Sequence, residues 1–107
     1  MHYFEHRFEK RYETNFIAYI MWDGRLIEGT AINISPQGIT LKTRALSCPA
    51  NLKVSVCCFM SDKDFDVSSA ITHNTNDTIG IEFNQPQTDL YQSAIEQEQQ
   101  KLTFSAA

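Results

Sequence analysis

The chain has 107 residues, 42% of them hydrophobic, and a formal net charge of −4 at pH 7. This length suits one domain, and the acidic balance argues against broad binding to a nucleic-acid polymer, which needs many phosphate contacts from a basic face. No apolar run approaches the roughly 18–20 residues that cross a bilayer, and the N-terminus alternates aromatic and charged residues, so we expect a cytoplasmic protein without membrane insertion.

Six segments with the alternation of β-strands follow the charged N-terminal stretch. Turn-forming residues separate them, among them Asp23-Gly24 and Ser35-Pro36-Gln37-Gly38. In the second segment the alternation places Ile32 and Ile34 on one side and Ala31 on the other. The predicted strands are 16–22, 26–34, 39–43, 52–59, 65–72 and 78–83. Short strands joined by turns predict a mainly β fold that closes into an antiparallel barrel, because closure removes exposed strand edges.

The residues after Pro86 change to helical spacing. Apolar side chains recur every three to four residues, at Leu90, Tyr91, Ala94, Ile95 and Leu102. This pattern predicts one amphipathic C-terminal helix, with Thr88 or Asp89 as its N-cap. The apolar stripe lies either against the barrel or against a second copy, which leaves a homodimer open. The predicted organisation is an arm at 1–12, a barrel at 13–85, and a helix and tail at 86–107.

The cysteines and histidines show no pattern of a catalytic or metal site. Cys57 and Cys58 are adjacent in a predicted strand, so their side chains point to opposite faces and do not readily form a disulfide. No carboxylate or nucleophile stands at a recognisable motif spacing from any histidine, that is from His2, His6 or His73. His73 is interpreted as a strand-end residue. The sequence predicts no enzyme, no metal and no cofactor.

Two arginines lie four residues apart just before the first predicted strand, at Arg7 and Arg11. In a helix these like charges would be stacked, as would Glu5, Glu9 and Glu13, and each such pair opposes helix formation by roughly a few tenths of a kcal/mol. A flexible arm is therefore predicted. Guanidinium groups bind phosphate through paired hydrogen bonds and match the O6/N7 edge of guanine. The arm is thus a candidate anion-binding element, and a solvated charged tail is the alternative.

A second polar motif, Asn33-x-Ser35-x-x-Gly38, lies at the end of the second predicted strand. Asn33 and Ser35 share parity and are predicted to project from the same face. Their amide and hydroxyl groups can hydrogen-bond a purine edge. Gly38 is predicted to permit a positive φ that turns the chain into the next strand. An ordinary hairpin loop is the alternative, because these residue types all favour turns.

These two motifs, taken in chain order, resemble the signature of the PilZ domain family. An RxxxR precedes the first strand, and an (Asp/Asn)-x-Ser-x-x-Gly opens the strand that follows the second. The segment Ile79-Gly80-Ile81-Glu82-Phe83 also resembles the Ile-Gly-hydrophobic-x-Phe strand that commonly ends these domains. The resemblance extends from about Glu5 to Asn84 and implies a six-stranded antiparallel PilZ-type barrel with a C-terminal α-helix.

The resemblance implies that the chain binds the second messenger cyclic di-GMP. Arg7 and Arg11 would hold its phosphates and stack on or bond to its guanines. Asn33 and Ser35 would hydrogen-bond a guanine, and Gly38 would shape the loop beside it. His6 stands where many members have another arginine, which leaves the ligand stoichiometry open.

The family resemblance also implies a role. The chain would be a stand-alone receptor or adaptor that regulates an unidentified downstream protein in motility, biofilm formation or virulence. The alternative is a PilZ-like interaction adaptor that does not bind the nucleotide and docks through its helix or the aromatic residues of segment 1–4. A generic oligonucleotide-binding barrel is a weaker alternative, because the chain has no basic stripe.

Overall fold

Six antiparallel strands and one C-terminal helix form the part of the chain that the computed structural model describes, which is residues 11–43, 51–75 and 77–106. The elements are β1 (Tyr12–Trp22), β2 (Arg25–Ile34), β3 (Gly38–Lys42), β4 (Lys53–Phe59), β5 (Asp64–Asn74), β6 (Thr78–Phe83) and α1 (Thr88–Ala106).

The strands close into a barrel in the order β1-β2-β3-β6-β5-β4. Every neighbouring pair is antiparallel, including the pair of β1 with β4 that completes the ring. The predicted six-stranded barrel with a C-terminal helix is therefore confirmed. Short connections join β1 to β2, β2 to β3, β4 to β5 and β5 to β6, and residues 43–52 connect β3 to β4.

The core follows from the alternation of each strand. In β1 the side chains of Phe16, Ala18 and Ile20 are buried while those between them point outward. Burial of a large apolar side chain such as that of Phe16 or Ile20 stabilises the fold by about 1.5–3 kcal/mol. The largest apolar side chains that are fully enclosed are Ile20, Ile34, Ile39, Leu41, Ile71, Ile79 and Leu90.

Three irregularities interrupt the register of the strand pairing, between Glu13 and Phe16, between Ala31 and Asn33, and between Ile71 and His73. A bulge inserts an extra residue and so reverses the parity of the strand beyond it. In β2 both Ala31 and Ile34 are consequently buried while Ile32 is half-buried. The predicted placement of Ile32 with Ile34 is wrong for this reason.

The helix α1 packs on its own barrel. Leu90 and Ala94 are fully buried there, and Tyr91 packs beside them. Two hydrogen bonds fix the helix to the segment after β4: Ser61 N–H donates to Gln97 Oε1 at 3.0 Å, and Ser93 Oγ donates to Asp62 Oδ2 at 3.1 Å. Within the described chain, no helix combines the length and apolar character that a membrane span requires.

The adjacent cysteines lie on opposite faces of β4, as predicted. Cys57 is half-buried on the outside, whereas Cys58 is fully enclosed in the core. Burial raises the pKa of Cys58 to about 12, with a smaller contribution from Cys57. Burial also raises the pKa of Cys57, and the nearby carboxylate of Asp66 adds to this rise. Cys48 lies outside the described residues.

Candidate ligand-binding site

The two polar motifs meet because the start of β1 pairs with the end of β2. In this register Tyr12 lies opposite Ile34 and Glu13 lies opposite Asn33. Arg11 immediately precedes β1, and its Nη1 donates a hydrogen bond of 2.7 Å to Asn33 Oδ1. The antiparallel pairing thus brings one arginine of the first motif onto the second motif. Arg7 lies outside the described residues.

The buried side chain of Ser35 holds the backbone of the β2–β3 loop in place. This side chain is fully buried, and its hydroxyl oxygen accepts hydrogen bonds from the backbone N–H groups of Gln37 at 3.2 Å and Gly38 at 3.1 Å. The backbone N–H of Ser35 donates to the Gly38 carbonyl at 2.9 Å. Asn33 is half-buried beside Arg11, so the two polar side chains of the motif occupy different environments. A contact between Ser35 and a guanine stays a prediction.

Gly38 is required for space and not for its backbone angle. The only described glycine with a positive φ is Gly24, at 72°. A Cβ atom on Gly38 would instead overlap the carbonyl oxygen of Ile81 in β6. The predicted positive φ at Gly38 is therefore wrong, because the turn is made by Ser35 and the residues after it, and Gly38 already belongs to β3.

Carbonyl groups of the same loop accept hydrogen bonds from a neighbouring segment of the polypeptide. The Gln37 carbonyl accepts a hydrogen bond of 2.8 Å from Phe83 N–H, and the Pro36 carbonyl accepts one of 2.7 Å from Gln87 N–H. The loop is therefore held to the end of β6 and to the residue before α1. Such bonds fix the position of the loop before any ligand arrives, which lowers the entropy that binding must remove.

A cleft of about 270 Å³ opens beside this loop on the outside of the barrel. Its lining includes one guanidinium, that of Arg11, and one carboxylate, that of Glu82. The lining residues are Arg11, Gln37, Gly38, Thr72, His73, Gly80, Ile81 and Glu82. An open, polar groove with a guanidinium at its edge suits a ligand that carries both a phosphate and hydrogen-bonding bases.

A larger groove, of about 550 Å³, lies between β1 and α1. It is lined by Tyr12, Glu13, Asn15, Glu98, Lys101 and Leu102, which include none of the described site residues. Lys101 spans it, since its Nζ donates to the Asn15 carbonyl and to Glu98 Oε2. Volume alone would select this groove, but the cleft that joins the two motifs has the better chemistry for an anion.

Gly80 and His73 are among the cleft residues that the sequence reasoning about the site missed. Gly80 lies opposite His73 in the pairing of β5 with β6, and a Cβ atom on Gly80 would overlap the imidazole of His73. A glycine inside a strand often marks such a close approach, so Gly80 carried a usable signal. His73 carried none, because its position follows from the bulge after Ile71.

Across the described residues, no three His, Cys, Asp or Glu side chains come close enough together to hold a metal ion.

Comparisons with known proteins agree with this architecture. The family model of the PilZ domain matches residues 5–98. No curated protein sequence matches the chain. Among solved structures, the inhibitor of motility MotI/DgrA of Bacillus subtilis is similar, with a TM-score of 0.69 and 12% identity over 89% of this chain and 51% of that one.

The uncharacterized protein Lpg0364 of Legionella is also similar in structure, with a TM-score of 0.57 and 12% identity over 86% of this chain and 97% of that one. At this level of identity both likenesses concern the fold. The chain spans about half the length of the Bacillus protein.

Proposed function

The chain belongs to the PilZ domain family, and we propose that it binds cyclic di-GMP in the cleft beside its β2–β3 loop. Members of this family are cyclic di-GMP receptor and adaptor domains and not catalysts. The observation that carries this proposal is the 2.7 Å hydrogen bond between Arg11 and Asn33. It joins one residue of each motif at the edge of a polar cleft. Arg7 enters the proposal from the sequence alone.

The guanidinium of Arg11 supplies the main attraction for the ligand. It has N–H donors in a planar fork, and Nη1 donates a hydrogen bond to Asn33. A phosphate of cyclic di-GMP accepts from the same fork, and each charge-assisted hydrogen bond contributes about 1.5–3 kcal/mol. The contact with Asn33 orients the guanidinium toward the cleft that Arg11 also lines.

The loop contributes shape. Ser35 fixes its backbone from inside, and Gly38 lets β3 approach β6 closely. Together they keep a shallow floor on the outside of the barrel, where a flat base can lie against backbone. In this proposal Asn33 also hydrogen-bonds a guanine, and the buried Ser35 acts through the loop that its hydroxyl holds.

Isothermal titration with cyclic di-GMP tests the proposal. We expect Arg11→Ala and Arg7→Ala each to weaken binding by at least about tenfold, since roughly 1.4 kcal/mol corresponds to one decade. Arg25→Ala is the matched control, because Arg25 is also exposed but lies at the β1–β2 turn. It should bind as the wild type does.

Parallel titrations with cyclic di-AMP and GTP fix the identity of the ligand. The proposal is wrong if cyclic di-GMP gives no heat at tens of micromolar, or if both arginine variants bind like the wild type. The stoichiometry of the wild-type titration decides between one ligand and a stacked pair, the question that His6 leaves open.

We further propose that ligand binding regulates a downstream protein. The similar Bacillus protein is described as an inhibitor of motility, which makes motility the first process to examine. Deletion of this chain in its own host should change swimming, and a gene carrying Arg11→Ala should not restore the wild-type behaviour. Full restoration by that gene would separate the regulatory role from nucleotide binding.

A second candidate function, a protein adaptor that does not bind the nucleotide, has its own support in an apolar outer face. Ile17, Met21, Leu26 and Phe59 are each about half exposed, at 51%, 47%, 55% and 57%. Met21 lies opposite Leu26, and the rings of Tyr19 and Phe59 meet at 5.7 Å. An apolar face that runs over three adjacent strands is typical of a protein contact. A folded chain that binds no cyclic di-GMP would leave this function standing.

A further inference from the structure

The imidazole of His73 lies directly over the backbone of Gly80. A Cβ atom built on Gly80 would overlap three atoms of the ring, and Nε2 would lie 2.8 Å from it. Ile79 and Ile81, on either side of Gly80 in β6, are buried in the core. Gly80 therefore faces outward, and the His73 ring covers it on the outer surface of the barrel.

The bulge in β5 creates this arrangement. The register shifts between Ile71 and His73, so that His73 comes to lie opposite Gly80. Without the shift, the strict alternation from the buried Ile71 would direct His73 toward the core. The bulge instead leaves the ring exposed at the surface.

The same ring lines the cleft that contains Arg11. Its neighbours along the cleft include Gln37 and Gly38 from the other side of the β3–β6 pair. A planar ring on one side, a guanidinium on another and two glycines in the floor form a setting for a flat, hydrogen-bonding base that is attached to a phosphate.

We infer that His73 is a base-stacking residue of this site and that it holds one guanine of the ligand against the barrel. This inference rests on the proposed binding of cyclic di-GMP. The ring is already placed on Gly80, so binding loses little side-chain entropy. Arg11 then takes the phosphate, and His73 contributes to the recognition of the base.

Titration of three variants separates stacking from simple bulk. His73→Ala should weaken the binding of cyclic di-GMP roughly tenfold, as expected when an aromatic platform for one base is lost. His73→Phe keeps a planar ring and should stay within about threefold of the wild type. His73→Leu fills a similar volume without a flat face, and we expect it to bind as weakly as His73→Ala.

The outcomes distinguish this inference from the proposed function. A wild-type protein that gives no heat with cyclic di-GMP overturns both. If the wild type binds and Arg11→Ala does not, while His73→Ala binds like the wild type, only the role of His73 is overturned. Thermal melting of each variant confirms that the barrel is intact, and a His73→Leu variant that binds like His73→Phe shows that bulk and not stacking matters.

A spectroscopic readout tests the contact directly. The ring protons of His73, assigned by their loss from the spectrum of His73→Phe, should move upfield on addition of cyclic di-GMP, because a stacked purine shields them. Ring signals that do not move at saturating ligand contradict stacking even if affinity falls in His73→Ala.

The glycine beneath the ring gives a reciprocal test. Gly80→Ala places a methyl group where the imidazole lies, so it should displace the ring and weaken binding as much as His73→Ala does. The double variant His73→Ala/Gly80→Ala relieves that overlap and should bind like His73→Ala alone. Losses that add in the double variant show that Gly80 acts independently of the ring and overturn the arrangement.

Discussion

Two glycines stand at turns of the barrel for different reasons, Gly24 within the β1–β2 turn and Gly38 at the first residue of β3. In the β1–β2 turn, Asp23 and Gly24 both adopt positive φ, at 52° and 72°, which is the pattern of a type I′ hairpin turn. A Cβ atom on Gly24 would meet nothing within 4 Å. Where the β2–β3 loop enters β3, a Cβ atom on Gly38 would overlap the Ile81 carbonyl. Gly24 is needed for its positive φ, whereas Gly38 is needed because β3 and β6 approach closely. Substitutions at the two positions should therefore differ in their effect on stability.

Gly38→Ala should have the largest effect. Its methyl group must displace the backbone of β6, and such overpacking costs about 3 kcal/mol. Urea unfolding followed by circular dichroism measures this cost. Cyclic di-GMP affinity should fall together with stability, since the displaced strand also lines the cleft. A variant with wild-type stability would show that β3 and β6 move apart easily, and it would contradict the proposed difference between Gly38 and Gly24.

Ser35→Ala should come next, at about 2 kcal/mol, because the backbone N–H groups of Gln37 and Gly38 lose their acceptor. The same unfolding measurement applies, with Ser55→Ala as a control on a half-buried serine of β4. Ser35→Thr, which keeps a hydroxyl but adds a methyl group in a fully buried place, should also destabilise the fold. If Ser35→Ala is neutral, the loop does not depend on its hydroxyl.

Gly24→Ala should cost less, about 1 kcal/mol. The added methyl group has space, and the cost comes only from the left-handed backbone that alanine disfavours. Ligand affinity should not change, since the turn lies away from the cleft lining. A larger loss of stability would mean that the turn is packed as tightly as the β2–β3 loop.

Gly24→Asn should have the smallest effect, within about 0.5 kcal/mol of the wild type, because asparagine tolerates the left-handed region and suits a type I′ turn. The matched variant Gly38→Asn should be at least as damaging as Gly38→Ala, since its side chain is larger. Comparison of the two asparagine variants by thermal melting therefore tests whether Gly24 is needed for its backbone angle and Gly38 for the lack of space around it. Equal melting temperatures would contradict the distinction.

The strands could be predicted from the sequence because alternation is a local property. The main difference in extent is at β1, which begins at Tyr12 and not at 16. Its first residues are too polar to look like a strand, and they belong to one because they pair with the end of β2. The bulge near Thr14 likewise depends on contacts between strands, since the buried hydroxyl of Thr14 donates to the Ala31 carbonyl at 2.7 Å.

The site was predictable only in part. Motif order selected Arg11 and Asn33, and the antiparallel pairing explains why residues 22 positions apart are hydrogen-bonded. The burial of Ser35 could not be predicted, because turn propensity identifies a loop without giving the direction of its side chains. His73 was missed because one extra residue in β5 decides which way it points.

The strand order has one more consequence. It divides the barrel into two three-stranded meanders, β1-β2-β3 and β4-β5-β6, which are joined at two seams, β3 with β6 and β1 with β4. The cleft straddles the first seam, and the ring contact of Tyr19 with Phe59 bridges the second. A ligand in the cleft would therefore contact both halves of the molecule at the first seam. A protein docked on the apolar outer face would contact both halves at the second seam, on the opposite side of the barrel.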